Sequence, residues 1–528
     1  MPNTQPKLAA DYWLNFAVTK RDIDFLQNYL FETETPLPER DMTRVLVEER
    51  IRYEQEALAK QQKGDSEIFL PKGTYQKGQK LAFPALNWRK GKVFSVRPGN
   101  NPEVGAFDVL EVVFDDDSTR LFAASLPEHI LNDPVEESPN PESDPNAILE
   151  QYGDSLVKKL EMALQADDSL IRSAGQWFPR ALIVDMNEGH LNLAEAVIEV
   201  AGGEPLSISE LMEQVGAPDG VSRNLLEFSL NYALQEDGRF DEVGPAGEVL
   251  WCLKRLEPDE VQLPPAALTY HPIEYDRSLL TEEMLEIEYQ LDDEFSETEQ
   301  KPAKANEATI TLTYPHWRSG TLPVSPRVLH FFPTAYESPR VRFMLVDDKT
   351  GEKIPAWVVR EHGYVYGLAA WFEKNKLIPG AQIVIRRSKN RGEVILEAKT
   401  RKASKDWVRT VLAGSDGGIV FALLRQEVAC EYHDRMVIAV PDAAGIDKAV
   451  SQMAKSRQPL QKIVKNILHE LSKLTPQGHV HAEELYSAVN ILRRIPPAPL
   501  LALLASNSEF NHIGDLYFRL AETGEGEE

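Results

Sequence analysis

The chain has almost no cysteine: Cys252 and Cys430 are the two among 528 residues. Far apart and without a partner at metal-ligand spacing, they exclude a disulfide framework and a zinc ribbon and point to a reducing compartment. No run of about 18 apolar residues occurs, so no spanning helix is expected. The start, MPNTQPKLAADYW, lacks a basic segment followed by an apolar one, so no signal peptide is expected and the cytoplasm is the expected compartment. Also missing are a GxxxxGK[ST] phosphate loop, HExxH, GxSxG and the Rossmann glycine pattern. The expectation is a non-enzymatic protein with no cofactor, no metal and no membrane contact.

Positive charge is scarce overall, with 57 Lys and Arg against 83 Asp and Glu and a net charge of −26. The deficit is uneven. Between Lys301 and Leu412 there are 20 basic and 10 acidic residues, a local balance of +10, which leaves −36 for the rest. One basic module inside an acidic chain is the pattern that directs attention to phosphate.

The length calls for several cores. The apolar fraction of 42% is that of a globular chain. Composition and periodicity divide it into a helical start (1–70), a small β-barrel of Tudor or chromo type (71–132), and a Pro-rich acidic linker (133–147). A helical and winged-helix segment (148–256) and a second acidic linker (257–307) follow. A basic β module (308–412), a connecting segment (413–459), a second winged-helix-like segment (460–520) and an acidic tail (521–528) complete the chain. The fold class expected is α+β multidomain. In the second linker, Thr281 to Gln300 holds nine acidic residues and no basic one, with Met284, Leu285, Ile287 and Leu291 spaced for a short amphipathic helix. This acidic segment is expected to compete with phosphate for the neighbouring basic face. The endings RFDEVG…VLWCLKRL and EFNHIG…LYFRL align Phe240 with Phe510, Val243 with Ile513 and Gly244 with Gly514, which reads as an internal repeat.

Three resemblances follow from these residues. GGEPLSISELMEQV and GRFDEVG, within 191–256, resemble the HARE-HTH winged helix of the bacterial RNA polymerase delta subunit. That likeness implies docking to RNA polymerase or another transcription protein. VRFMLVDDKTGEKIPAWVVREHGYVYGLAAWFEKNKLIPGAQIVI is similar to the plant-type DNA-binding pseudobarrel of auxin response factors. The likeness runs through Asp347-Asp348, Gly351, Trp357, Tyr364, Trp371-Phe372, Leu377 and Pro379-Gly380. It implies two groove-gripping arms, YPHWRS with His316, Trp317 and Arg318, and REHGY with Arg360, His362 and Tyr364. YQKGQKLAFP and GKVFSV resemble, more faintly, the polymerase-interacting barrel of transcription–repair coupling factors.

The densest basic run lies between Arg386 and Arg409. A hairpin loop such as RRSKNRGE projects its cations together, and each neutralised phosphate releases counterions. The candidate contacts to DNA, or to RNA, are Arg386, Arg387, Lys389, Arg391, Arg401, Lys402 and Lys405. A solvated edge that resists strand aggregation is the plainer reading of the same cations. The third helices, SRNLLEFSLNYALQED and PAPLLALLAS, carry too little positive charge to anchor phosphate, so both winged helices are expected to hold protein. Trp88, Trp317 and Trp407 suit stacking or core filling. His479 and His481 suit a strand edge and a helix start, since no third ligand is near. The expected function is a non-enzymatic DNA-binding or transcription-associated adaptor, its basic pseudobarrel contacting nucleic acid and its acidic winged helices docking protein, and two rival classes stand beside it. One is a scaffold without nucleic-acid contact; the other is a magnesium nuclease built on Glu397, Lys399 and Asp347 or Asp348.

Overall fold

The computed structural model describes residues 11–521, except 64–65, 87, 102–104, 133–143, 216–219, 298–304 and 415–416. Most of the first acidic linker, the end of the acidic run at Glu299 and Gln300, and the acidic tail after 521 therefore lie outside the described residues. The fold is mixed α+β with several separate sheets. It divides into two units, residues 1–185 with 220–229 and residues 186–219 with 230–528.

In the first unit, helices α1 (Lys20–Thr33), α2 (Glu39–Lys63) and α3 (Pro145–Gln165) share one core. Its pattern is helical: Leu26 and Leu30, Met42 and Leu46, and Leu156, Leu160 and Leu164 recur at four-residue spacing and are buried. The α1 entry is fixed by Thr19, whose backbone N–H donates to Asp22 at 2.7 Å, while Arg50 of α2 forks onto the same carboxylate at 2.6 Å. Strands β1 (Glu67–Ile68), β2 (Lys80–Phe83), β3 (Arg89–Pro98), β4 (Asp108–Phe114) and β5 (Thr119–Ala124) form one sheet in sequence order over Phe83, Leu110, Val112 and Phe114. A hairpin follows, β6 (Leu170–Ser173) with β7 (Gln176–Pro179). The stretch 148–185 thus belongs with the N-terminal unit and not with the winged-helix segment. The apolar face of α3 is buried beside α1 and α2, which composition alone did not reveal.

The second unit opens with α4 (Glu188–Val200), β8 (Leu206–Ser207), α5 (Ile208–Val215), α6 (Arg223–Glu236), β9 (Phe240–Glu242) and β10 (Leu250–Leu253). Ser229 is the last α6 residue that clusters with the first unit. The sheet order is β8-β10-β9. The short helix α7 (Asp259–Gln262) and helix α8 (Glu282–Leu291) come next. Then β11 (Glu307–Thr311), α9 (Tyr314–Ser319), β12 (Thr321–Pro323), β13 (Arg340–Asp347), β14 (Lys353–Val359), β15 (Tyr364–Tyr366), α10 (Ala369–Lys374), β16 (Gln382–Arg387) and β17 (Glu393–Ala398) build a seven-stranded sheet. Its order is β11-β16-β17-β13-β14-β15-β12, with β13 and β17 parallel and the other neighbours antiparallel; it curls into a half-barrel around Phe343, Leu345, Trp371 and Phe372.

A long hairpin leaves this sheet: β18 (Thr400–Ala413) and β19 (Ile419–Cys430). Helices α11 (Ala443–Lys455), α12 (Leu460–Ser472), α13 (Ala482–Leu492) and α14 (Pro497–Ser506) and strands β20 (Val480–His481), β21 (Phe510–His512) and β22 (Tyr517–Leu520) close the unit, with sheet order β20-β22-β21. The segments 188–253 and 460–520 therefore share one element order and one sheet order. Their matched glycines serve different needs. A Cβ on Gly244 would lie 1.8 Å from the Glu248 carbonyl, whereas Gly514 has open space but a φ of +105°.

Two boundaries differ from expectation. The segment 413–459 is not a connector, because it holds the whole second strand of the hairpin and α11. The acidic stretch after 257 is not a free linker over its described length. Leu280, Met284 and Ile287 are buried in the same core as α12, α13 and α14, so its apolar stripe docks, and Glu288 and Asp293 are buried with it. No single helix among the described residues is long and apolar enough to cross a membrane. The apolar pair α13 and α14 is bent by 112°, and its side chains fill that core.

Candidate nucleic-acid interface and the charge networks around it

The basic residues lie on the half-barrel and on the β18–β19 hairpin that follows it, and most of them have partners. Arg386, on β16, lies among three carboxylates: Glu307 at 3.0 Å, Asp348 at 3.1 Å and Glu397 at 2.6 Å. The hydrogen bonds it donates to Glu307 and Glu397 hold it still more firmly protonated than a free arginine. Arg401 is bound by Asp406 and donates to the Cys430 carbonyl at 3.0 Å. Arg391 donates to the Ala246 carbonyl, and Arg387 to that of His330 at 3.4 Å. Lys389, Lys402 and Lys405 are exposed and have no partner among the described residues.

The two expected arms fare differently. His316 is 1% exposed, with Nδ1 2.9 Å from Thr321 Oγ1 and Nε2 3.1 Å from Glu294. Trp317 donates to the Leu377 carbonyl at 2.8 Å, and Arg318 clasps Asp447 at 2.6 Å. Arg360 donates to the carbonyls of Phe332 and Pro333 at 2.9 and 3.0 Å, and burial lowers its pKa. Tyr364 is 1% exposed with its hydroxyl donating to the Glu260 carbonyl; burial pushes it up to about 12, and His362 stacks over it. His316 and Tyr364 are thus core groups and are withdrawn from the interface. Aromatic and imidazole side chains in a basic stretch read alike from sequence whether they face solvent or fill a core.

The nuclease set is likewise occupied by its own fold. Asp347 accepts hydrogen bonds from Trp371 Nε1 at 2.6 Å and from the backbone N–H groups of Lys349 and Thr350. Asp348 and Glu397 share Arg386, which puts a guanidinium where a divalent cation would bind. His481 caps α13 by accepting from the Glu483 N–H at 3.2 Å, and His479 packs on Tyr517. No group of three or more His, Cys, Asp or Glu among the described residues is arranged to hold a metal ion.

Two networks escaped the sequence reading. Arg494, buried, forks onto Asp293 at 2.7 Å and reaches Glu294 at 2.7 Å, while the Tyr486 hydroxyl donates to Asp293. Burial raises Glu294, but the Arg494 guanidinium and His316 beside it hold it well below the usual carboxylate range. The acidic run after α8 is thereby locked to the C-terminal helices and to α9. The signal was the triplet Asp292-Asp293-Glu294 directly after an amphipathic helix, and its partner lies 200 residues away.

The second network joins the β9–β10 hairpin to the half-barrel. Ala246 N–H donates to the Thr334 carbonyl and Arg342 N–H to the Val243 carbonyl at 2.8 Å. Arg340 meets Asp241 at 2.9 Å and Glu257 at 3.3 Å. Val243, Cys252, Trp357, Val359 and Tyr364 form the common core beneath. Burial raises Glu242 to about 7; burial and the adjacent Asp241 raise Glu257 to about 8.

No family model, curated protein sequence or solved structure matches the chain.

Proposed function

We propose that the chain is a non-catalytic adaptor whose modules hold protein partners. One observation carries this reading: the arginines that pointed to nucleic acid are satisfied by the protein's own carboxylates and carbonyls. Arg386 and Arg401, already paired with carboxylates, have less charge to offer phosphate. The β9–β10 turn, the element with which a winged helix reaches a minor groove, is bound to the half-barrel through Ala246 and Arg391.

Surfaces suited to protein remain. On α4, Leu193, Ala196 and Val200 are exposed at i, i+3 and i+7, with Val200 89% exposed, flanked by Glu188 and Glu199. An exposed apolar stripe on a helix fits the apolar face of an amphipathic partner segment. The shared sheet order of 188–253 and 460–520 supports assigning both as winged helices, the five-stranded sheet supports a Tudor-like barrel, and the curled sheet supports a pseudobarrel. The HARE-HTH resemblance directs the partner search to RNA polymerase and other transcription proteins.

A second reading keeps DNA or RNA contact and restricts it to Lys389, Lys402 and Lys405, which are exposed and have no partner among the described residues. Gel shift and heparin retention of the whole chain across salt separate the two. The adaptor predicts weak retention with little salt dependence. A steep loss of affinity with salt, abolished by changing these three lysines to alanine, would establish the second reading instead.

A further inference from the structure

Among the described residues strand β19 pairs with β18 and with no other strand, so its other edge has no strand partner. The direction of its backbone groups follows from the turn. Gly414 N–H donates to the Gly418 carbonyl, which makes that a hydrogen-bonded pair, and such pairs alternate along the hairpin. Arg409 and Val411 then turn their backbone groups away from β19, as observed, since both bond to Ala439. By the same alternation Leu423, Arg425 and Glu427 turn theirs away from β18. No described residue hydrogen-bonds to them. The strand, IVFALLRQEVAC, has no proline and no bulge from Ser404–Val428 to the turn, and the charges exposed along it, Arg425 and Glu427, are of opposite sign.

We propose that this edge is a self-association surface, and that a second copy of the chain adds its own β19 antiparallel across it. The segment Leu424-Arg425-Gln426-Glu427-Val428 is symmetric about Gln426 in size and opposite in charge. Centred there, a two-fold pairing sets Arg425 opposite Glu427 of the partner subunit, twice, and Leu424 opposite Val428 of the partner subunit. Arg425 and Glu427 both direct their backbone groups outward, so they form the hydrogen-bonded pairs of the new ladder. A shift to a centre on Arg425 would instead oppose two like charges, and a centre on Leu424 would oppose Arg425 with a leucine.

The flanking strands extend the match. Trp407 stands opposite Arg425 and Lys405 opposite Glu427 within the hairpin. Each row across the four strands then runs Lys405, Glu427, Arg425 of the partner subunit and Trp407 of the partner subunit. Along each row the charges alternate in sign. Leu423, on the edge strand itself, is 46% exposed, and this arrangement would cover it.

Sedimentation velocity of the whole chain at physiological salt, from about 1 to 100 µM, tests it, since a contact of this small size is populated in that range. The expected result is a reversible dimer. Arg425→Glu or Glu427→Arg alone should weaken it by about tenfold or more, because each sets like charges opposite one another twice. The double variant R425E/E427R should recover it. Both positions are exposed, so an unchanged melting profile will verify that each variant folds. Monomer at every concentration overturns the proposal, as does a dimer indifferent to the single changes or a double variant that fails to recover. A polyanion or a foreign strand on this edge would produce one of those three results.

Discussion

At the scale of single residues, the decisive fact is how thoroughly charge is consumed inside the second unit. Arg494, Asp293 and Glu294 are all buried, and removal of one member leaves the others without compensation. Arg494→Met should therefore cost about 3–5 kcal/mol in urea unfolding, whereas a surface arginine such as Arg223 should cost roughly 0.5 kcal/mol or less. Glu242 and Glu257 act in the opposite sense. Both have folded pKa values raised above the unfolded carboxylate, so the native state favours their protonated forms. Their contribution is complete below about pH 4.5 and is lost as pH rises through about 7 and about 8. Thermal melts should show the second unit weakening between pH 6 and 9, and Glu257→Gln should flatten that fall and stabilise the protein at pH 9 by about 1–3 kcal/mol. An unchanged profile in the variant would mean that another group is responsible.

At the scale of elements, α8 changes the meaning of the acidic stretch. As a tethered polyanion it would compete with phosphate, and deleting it would tighten nucleic-acid binding. With Met284 and Ile287 in the core, deletion of 281–297 should instead lower the melting temperature and expose the C-terminal helices to protease. Met284→Ala alone should cost about 2–4 kcal/mol, against almost nothing for a true linker. The amphipathic spacing was legible in sequence, but the face it covers was not. Periodicity reports that a stripe exists and says nothing of which distant surface receives it. The hairpin of β18 and β19 shows the same division: the apolar run 419–424 was there to be read, whereas the boundary expected at 412 cut through a strand.

At the scale of the molecule, cores cross every boundary drawn within 186–520. Trp357 and Tyr364 pack with Val243 and Cys252, and Tyr314 and Val411 lie in the core of the C-terminal helices. A fragment of residues 308–412 should thus fail to give dispersed amide resonances, while the whole chain unfolds cooperatively over this unit. A well-dispersed spectrum from the fragment would refute the shared cores.

What the sequence determined by itself was local: mixed α+β composition, the repeated helix and strand order, the turns, and the helix start at His481. These follow from periodicity and backbone preference within about a dozen residues. Tertiary structure alone decided which charges are free. Arg386 and Lys402 are alike as letters in a basic run, yet one sits among three carboxylates and the other faces solvent. An ion pair depends on distances that close between residues far apart along the chain, and no local pattern encodes them.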